Sequence, residues 1–329
     1  LGGRAAPPNP RRYLVAAPLG FLAGIAVAAL SSGGNTAWHT LKTVPPDILP
    51  VLLLLSATNY AARAARWLLF TAALGLDVPP ARNALYYVAG FAMTTTPGKL
   101  GEALRLWLMH RAHATPYDRS AALLIADRLS DAVAVAAVVA ITVGWFAHYV
   151  WMAAVAILVV GAITAIALRP ALLLLLTDTA YRRLRRWPRA FVGIRRAIRA
   201  LHTLGSPRVF GAALLLGTLG WCAEAASFSL LLQALHASIN QLAAAFIFAF
   251  GVMVGAVSII PGGLGSTEAT MLGLLATQGV AFPVALVATA IIRLTTLWFA
   301  VALGLLALPI AVGWAPARHQ RPAQTPHDA

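Results

Sequence analysis

Two stretches combine helix breakers with charge in a chain otherwise poor in charge: Thr96-Pro97-Gly98-Lys99-Leu100-Gly101-Glu102, and Ile260-Pro261-Gly262-Gly263-Leu264-Gly265-Ser266-Thr267-Glu268. Both read Pro-Gly-x-Leu-Gly with a glutamate close behind, and both lie in apolar surroundings. Pro and Gly interrupt the helical ladder and free backbone groups, which is tolerated at membrane depth only where protein covers them or a polar cavity lines them. The N–H groups that open the second half of a broken helix attract an anion. Lys99 adds a cation at the first break; the second has Gly263 there, with Ser266 and Thr267 as donors. A phosphate or carboxylate headgroup suits such sites. The plainer alternative is that Pro-Gly only turns the chain.

Arg63, Arg66, Arg128 and Arg293 fall inside apolar runs. An unpaired arginine at mid-membrane costs about 2.5–3.5 kcal/mol on insertion scales, so each should face protein or water. Glu102 precedes Arg128 by 26 residues, and Glu268 precedes Arg293 by 25, so each unit is expected to pair its own glutamate and arginine. Arg128 also reaches Asp131 at i+3. Asp127 and Asp131 share a helix face at i,i+4, which is unfavourable unless both meet cations or solvent. Glu224 occupies the place in the second unit that Arg63 has in the first, so the two are expected to meet at the interface. Two compatible roles follow for these charges: structural ion pairs, or contacts and gates on the path of a charged headgroup. For Arg63 and Arg66 a third is snorkelling to the interface, with Trp67 in an aromatic belt.

Other chemistry has little to stand on. No phosphate-binding Walker loop occurs. Cys222 is the single cysteine, and no metal site is expected; His110 and His113 share a helix face near Glu102 but make a weak case. Ser258 has no adjacent base. No cofactor is expected.

The elements that must position these residues are membrane helices. The chain has 329 residues, 60% hydrophobic and 11% charged, with a mean hydropathy of +0.78. Soluble domains carry roughly 25% charged residues, so the composition indicates an all-α polytopic membrane protein. Apolar runs at 13–30, 48–74, 119–143, 149–168, 209–235 and 283–312 predict about six transmembrane helices. The segments 83–112 and 241–278 predict two re-entrant broken-helix hairpins, although 241–258 is long enough to cross by itself. The similarity extends beyond the breaks. Pro97 is followed after 31 residues by Arg128-Leu129-Ser130, and Pro261 after 32 by Arg293-Leu294-Thr295. A unit of roughly 90 residues is therefore used twice, over 48–143 and 209–312. The whole of 13–312 is one membrane domain, flanked by a basic disordered segment at 1–12 and a disordered tail at 313–329.

On that layout 20 of the 25 Lys and Arg residues fall on one side of the membrane and Lys42 alone on the other, Arg63, Arg66, Arg128 and Arg293 lying within spans. The positive-inside rule then places both termini in the cytoplasm. The two hairpins open from opposite sides, which makes the repeat inverted, as in secondary transporters. The net charge of +15 sits in loops between spans, a pattern of orientation and anionic lipid rather than nucleic acid. Residues 169–208 form a basic cytoplasmic loop. After Pro188, Phe191, Ile194, Ile198 and Leu201 recur at helical spacing opposite arginines, predicting an amphipathic helix on an anionic leaflet.

Arg66-Trp67, Thr96 to Glu102, Asp127-Arg128-Leu129-Ser130-Asp131 and Pro261 to Gly265 with Glu268 together resemble the transmembrane, flippase-like region of lysylphosphatidylglycerol synthases and its stand-alone relatives. The resemblance covers residues 13–312 and implies movement of lipid between leaflets. The soluble domain that transfers the aminoacyl group in the synthases has no counterpart in this sequence, so synthase activity is not implied. The expected function is a lipid flippase-like protein of the bacterial inner membrane, not an enzyme. Lys99, Glu102, Arg128, Asp131, Glu268, Arg293, Arg63 and Arg66 would line or gate the path. Pro97, Gly98, Gly101, Pro261, Gly262, Gly263 and Gly265 would make the breaks. The expected partners are membrane lipids, anionic ones above all. The alternative is a non-transporting partner that presents lipid to a separate lipid-modifying enzyme.

Overall fold

The computed structural model describes residues 35–96, 100–145, 150–184, 188–258 and 260–314. The predicted span at 13–30, the segment 1–12, the first apex Pro97-Gly98-Lys99 and the tail from 315 lie outside the described residues. Every regular element described is helical. In chain order they are α1 (Asn35–Lys42), α2 (Ile48–Ala73), α3 (Pro80–Ala89) with a 3-10 turn at Gly90–Met93, α4 (Leu100–His113), α5 (Tyr117–Thr142) and α6 (Val150–Ala167). There follow α7 (Pro170–Leu184), α8 (Pro188–Leu204), α9 (Pro207–Ala234), α10 (Gln241–Val257), α11 (Ser266–Thr277), α12 (Phe282–Arg293) and α13 (Phe299–Gly313), the last two joined by a π-helical turn at Leu294–Trp298. Prolines open α3, α7, α8 and α9, where a missing N–H leaves no bond unmade. The Asn240 side chain caps α10 by accepting from Leu242 N–H at 2.8 Å.

Among the described residues three runs are long and apolar enough to cross a membrane: α2, α9, and α12 with α13 through the π turn. At 26 residues α5 matches α2 in length, but Asp127, Arg128 and Asp131 interrupt its apolar surface. The segments Ala153–Ala167 and Pro170–Thr179 form an apolar pair bent by 71°. The chain is thus an all-helical membrane protein.

The order long helix, shorter helix, break, short helix, long helix occurs twice, in α2–α5 and α9–α13. The packing is reciprocal. The two leading helices, α2 and α9, form the most extensive interface among the described residues. Each unit's closing helix then covers the other unit's hairpin: α5 lies on α10, and α13 lies on α3 and its 3-10 turn. That second contact is backbone-close, since a methyl group on Gly304 would stand 2.1 Å from Ala92 N.

Two segments differ from expectation. The stretch between the predicted spans at 13–30 and 48–74, for which no helix is predicted, contains α1, which packs on α12 through a buried face that includes Ala37. The loop at 169–208 is two helices. The amphipathic helix after Pro188 is present as α8, but its stripe divides. Ile198, Leu201 and Leu204 are buried, the last two in a core with Trp67, Leu123 and Ala213, while Val192 and Ile194 stay exposed. Half of the face expected on lipid is therefore taken by protein.

Candidate functional site

Asn59, Arg63 and Arg66 follow one another on α2 at i, i+4 and i+7, along the stripe that meets α9 and α5. Small residues on α9 make room for them. A methyl group on Gly217 would stand 2.8 Å from Arg66 Nη1, and one on Gly220 would stand 2.5 Å from Asn59 Oδ1. From the other side α5 presents Asp127 and Asp131.

Arg66 is wholly buried and binds both carboxylates. Its Nε and Nη2 donate to Asp127 Oδ1 at 3.0 and 2.7 Å; its Nη1 and Nη2 each donate to Asp131 Oδ1 at 3.1 Å. The i,i+4 acid pair, unfavourable alone, is thus bridged by one guanidinium. Trp221 Nε1 donates to the same Asp131 oxygen at 3.1 Å. Arg63 Nη2 donates to Asp131 Oδ2 at 2.9 Å, with its guanidinium 5.5 Å from the centre of the Trp221 ring. Neither arginine snorkels, and Trp67 is no belt residue: it is fully buried and donates to Asn83 Oδ1 at 2.9 Å. The acid pair on α5 accounts for the difference, because it gives α2's cations a partner inside the protein.

Arg128 links this core to the first hairpin. Its Nη2 donates to Asp127 Oδ2 at 2.7 Å, and its Nη1 lies 3.5 Å from Glu102 Oε1 and 3.8 Å from Asp131 Oδ2. The predicted Glu102–Arg128 contact is therefore present. Arg105, counted with the loop cations from sequence, is only 3% exposed. Its Nε donates to Tyr87 O at 3.1 Å, its guanidinium stacks 3.9 Å from the Tyr87 ring, and its Nη1 stops 4.0 Å from Asp127 Oδ2. Such a ring contact contributes about 0.5–2 kcal/mol, less than the several kcal/mol that burying a cation costs. Sequence reasoning missed Arg105, Tyr87 and Trp221. One local signal pointed to Arg105, its i+3 relation to Glu102 on α4.

The second hairpin closes on itself. Arg293 Nε donates to Glu268 Oε1 at 2.6 Å, the predicted pair, and its Nη2 donates to Gly262 O at 2.7 Å. The other Glu268 oxygen accepts from Gly265 N–H. Ser266 Oγ donates to Ser258 Oγ at 3.0 Å and Gly263 O at 3.1 Å. Pro261, Gly262 and Gly263 form a 3-10 turn in which Gly262 and Gly263 have φ of +66° and +64°, a conformation that excludes most side chains. In the first hairpin Gly101 lies against Gly90: a methyl group there would stand 2.1 Å from Gly90 O. Thr95, which precedes the first break in sequence, lies beside the second, for a methyl group on Gly262 would stand 3.4 Å from Thr95 Cγ2.

Glu224 is buried on α9 and its charged neighbours include Arg63, Asp131 and Arg293, but it forms no ion pair within 4.0 Å among the described residues. The expected meeting with Arg63 is thus replaced by the shorter Arg63–Asp131 bond. Pro97, Gly98 and Lys99 lie outside the described residues. The other candidates group as Arg63, Arg66, Glu102, Arg128 and Asp131 around Asp127, and Glu268 with Arg293 at the second break.

These residues all fall within 14–304, the part of the chain matched by the sequence profile of the family described as Lysylphosphatidylglycerol synthase TM region. The UPF0104 membrane protein of Methanothermobacter thermautotrophicus (strain Delta H) is 24% identical to this chain over 316 residues, which covers 87% of this chain and 91% of that protein. With its helical architecture and apolar spans, and with the profile covering most of its length, the chain is an integral membrane protein that belongs to the Lysylphosphatidylglycerol synthase TM region family.

Proposed function

We propose that this protein moves a phospho- or glycolipid between the leaflets of the bacterial inner membrane. The observation that carries the reading is the meeting of two broken hairpins at Thr95 and Gly262, each holding an arginine–glutamate pair beside its break. On this reading the hairpins open to opposite sides in turn, and the headgroup passes between them while the acyl chains stay in lipid. Glu102, Arg128, Asp131, Arg63 and Arg66 then line the cytoplasmic half of the path together with Lys99, and Glu268 and Arg293 gate the outer half. On this reading both termini face the cytoplasm, which the distribution of basic residues supports. The chain acts without catalysis and without a cofactor.

Reconstitution into liposomes with a leaflet-resolved lipid assay tests this. Movement above protein-free liposomes is expected, with Glu102→Ala and Glu268→Ala each lowering it at least tenfold. If the purified protein moves no lipid and is instead recovered with a lipid-modifying transferase, the presenting-partner role replaces transport.

A further inference from the structure

Arg293 and Gly304 lie on one continuous helical run, made of α12, the π turn and α13, and the two ends of that run hold different hairpins. Toward α12, Arg293 Nη2 donates to Gly262 O at 2.7 Å, and a methyl group on Gly262 would stand 3.5 Å from Leu297 Cδ2. Toward α13, Gly304 lies on the first hairpin, with backbone atoms of Phe91 and Ala92 within 2.9 Å of where a methyl group would go. Thr95 and Leu297 flank the same point at Gly262, so both hairpins face one flank of the run.

Between the two grips the helix widens into the π turn Leu294–Trp298. Such turns are rare inside α-helices and occur mostly at functional sites. Side chains serve the carbonyls in and before this one. Thr295 Oγ1 donates to Ile291 O at 3.1 Å, Thr296 Oγ1 donates to Ile292 O at 2.6 Å, and the Tyr60 hydroxyl donates to Thr296 O. The Tyr60 bond differs from the other two because it comes from outside the run. Tyr60 belongs to α2, which its packing on α9 and the ion pairs of Arg63 and Arg66 tie to the centre of the protein. The Tyr60 ring lies 5.3 Å from that of Phe91 in the first hairpin and 5.9 Å from that of Phe299 at the start of α13. The run is therefore held at both ends by the hairpins and pinned in its middle by a side chain anchored elsewhere.

We propose that Tyr60 and the π turn are the pivot of a rocker, through which opening of one hairpin opposes opening of the other. The proposal rests on the lipid-transport reading and deepens it, since that reading needs the hairpins to open in turn and never together. A stiff run held at its middle tilts, so an arm that swings off the first hairpin presses the other arm onto the second. Tyr60 is a positioning residue: it acts through the backbone of Thr296 on Arg293 at one arm and Gly304 at the other. Without its hydroxyl the run bends at the π turn, and the two arms move independently.

Hydrogen exchange with peptide resolution, on the full chain in neutral detergent, tests the pivot. Gly304→Ala drives α13 off the first hairpin, so exchange over 90–96 is expected to rise about tenfold while exchange over 260–266 falls about threefold or more. In Tyr60→Phe combined with Gly304→Ala the first effect is expected to persist and the second to vanish. Coupling between two sites is reciprocal. Glu268→Gln, which loosens the second break, is therefore expected to slow exchange over 90–96, and again only with Tyr60 present. This reverse arm serves as the test should Gly304→Ala fail to fold. A tyrosine that only fills space would lower the melting temperature of Tyr60→Phe and leave the coupling intact, and that result overturns the proposal. Exchange over 260–266 that is unchanged or faster in Gly304→Ala overturns it as well. The measurement needs no lipid movement. Coupling through Tyr60 in a protein that moves no lipid defeats transport alone, and lipid movement without such coupling defeats the pivot alone.

Discussion

Arg66 and Asp127 are joined by two hydrogen bonds to one carboxylate oxygen, at 2.7 and 3.0 Å, and both side chains are wholly sealed from solvent. Removing one partner of such a pair strands the other charge, at a cost of about 3–5 kcal/mol, whereas replacing both by apolar residues of similar volume is often close to neutral. Arg66→Met and Asp127→Leu are each expected to lower the melting temperature in detergent sharply. Asp131 still faces Arg63 and Arg128 in the double variant, which is expected to recover most of the loss. Thermal unfolding followed by size-exclusion chromatography gives the measurement, and a double variant no better than the singles counts against the pair as the organising contact.

Arg293 joins side chain to backbone at the second break, through Glu268 Oε1 and Gly262 O. A lysine keeps the charge but has no fork to reach both. Arg293→Lys is expected to release the segment around 260–266 while the fold persists. Losing a charged hydrogen bond of about 1.5–3 kcal/mol should speed local amide exchange about ten- to a hundredfold. Hydrogen exchange with peptide resolution shows whether the change stays within that segment.

Helix contacts that depend on missing side chains separate from those that do not. Gly220 and Gly304 have atoms 2.5 and 2.1 Å from where a methyl group would go, while Gly161 on α6 has nothing within 4 Å. Gly220→Ala and Gly304→Ala are expected to destabilise by about 1–3 kcal/mol through overpacking. Gly161→Ala should be neutral or stabilise by up to about 1 kcal/mol, by helix propensity. The ordering of three melting temperatures decides this.

Glu224 is buried, yet no cation stands within ion-pair distance of it among the described residues. Glu224→Gln preserves shape and polarity and is expected to change stability by less than about 1 kcal/mol. Glu224→Lys, which puts a third cation near Arg63 and Arg293, should cost about 3 kcal/mol or more. Similar melting curves for the two variants would show that the charge neighbours of this position have been misread.

The doubled unit was legible because its markers are local: prolines and glycines that break helices, and a glutamate and arginine at matched separation in each copy. Helix limits followed for the same reason, α5 and α9 ending within a few residues of the predicted spans. The centre of the network was less so. Arg66 meets Asp127 across 61 residues of sequence, and periodicity on α2 alone cannot distinguish an arginine that reaches water from one that reaches a neighbouring helix. Arg105 was hidden by hydropathy itself, which counts a charge near a span end as a loop charge whether or not aromatic rings enclose it. Within 169–208 the stripe after Pro188 was legible as a helix, but its cover by α5 in place of lipid was not, because a stripe's sequence pattern is the same against either.

The reciprocal cover of the hairpins has a consequence for biogenesis. Ala92 leaves the ribosome early, whereas Gly304, which closes over it, is among the last residues of the membrane domain to be made. The first hairpin must therefore wait beside the insertion channel with its broken backbone unshielded until the final helix arrives. A ribosome that stalls before α13 would leave behind a nascent chain marked for quality-control proteases.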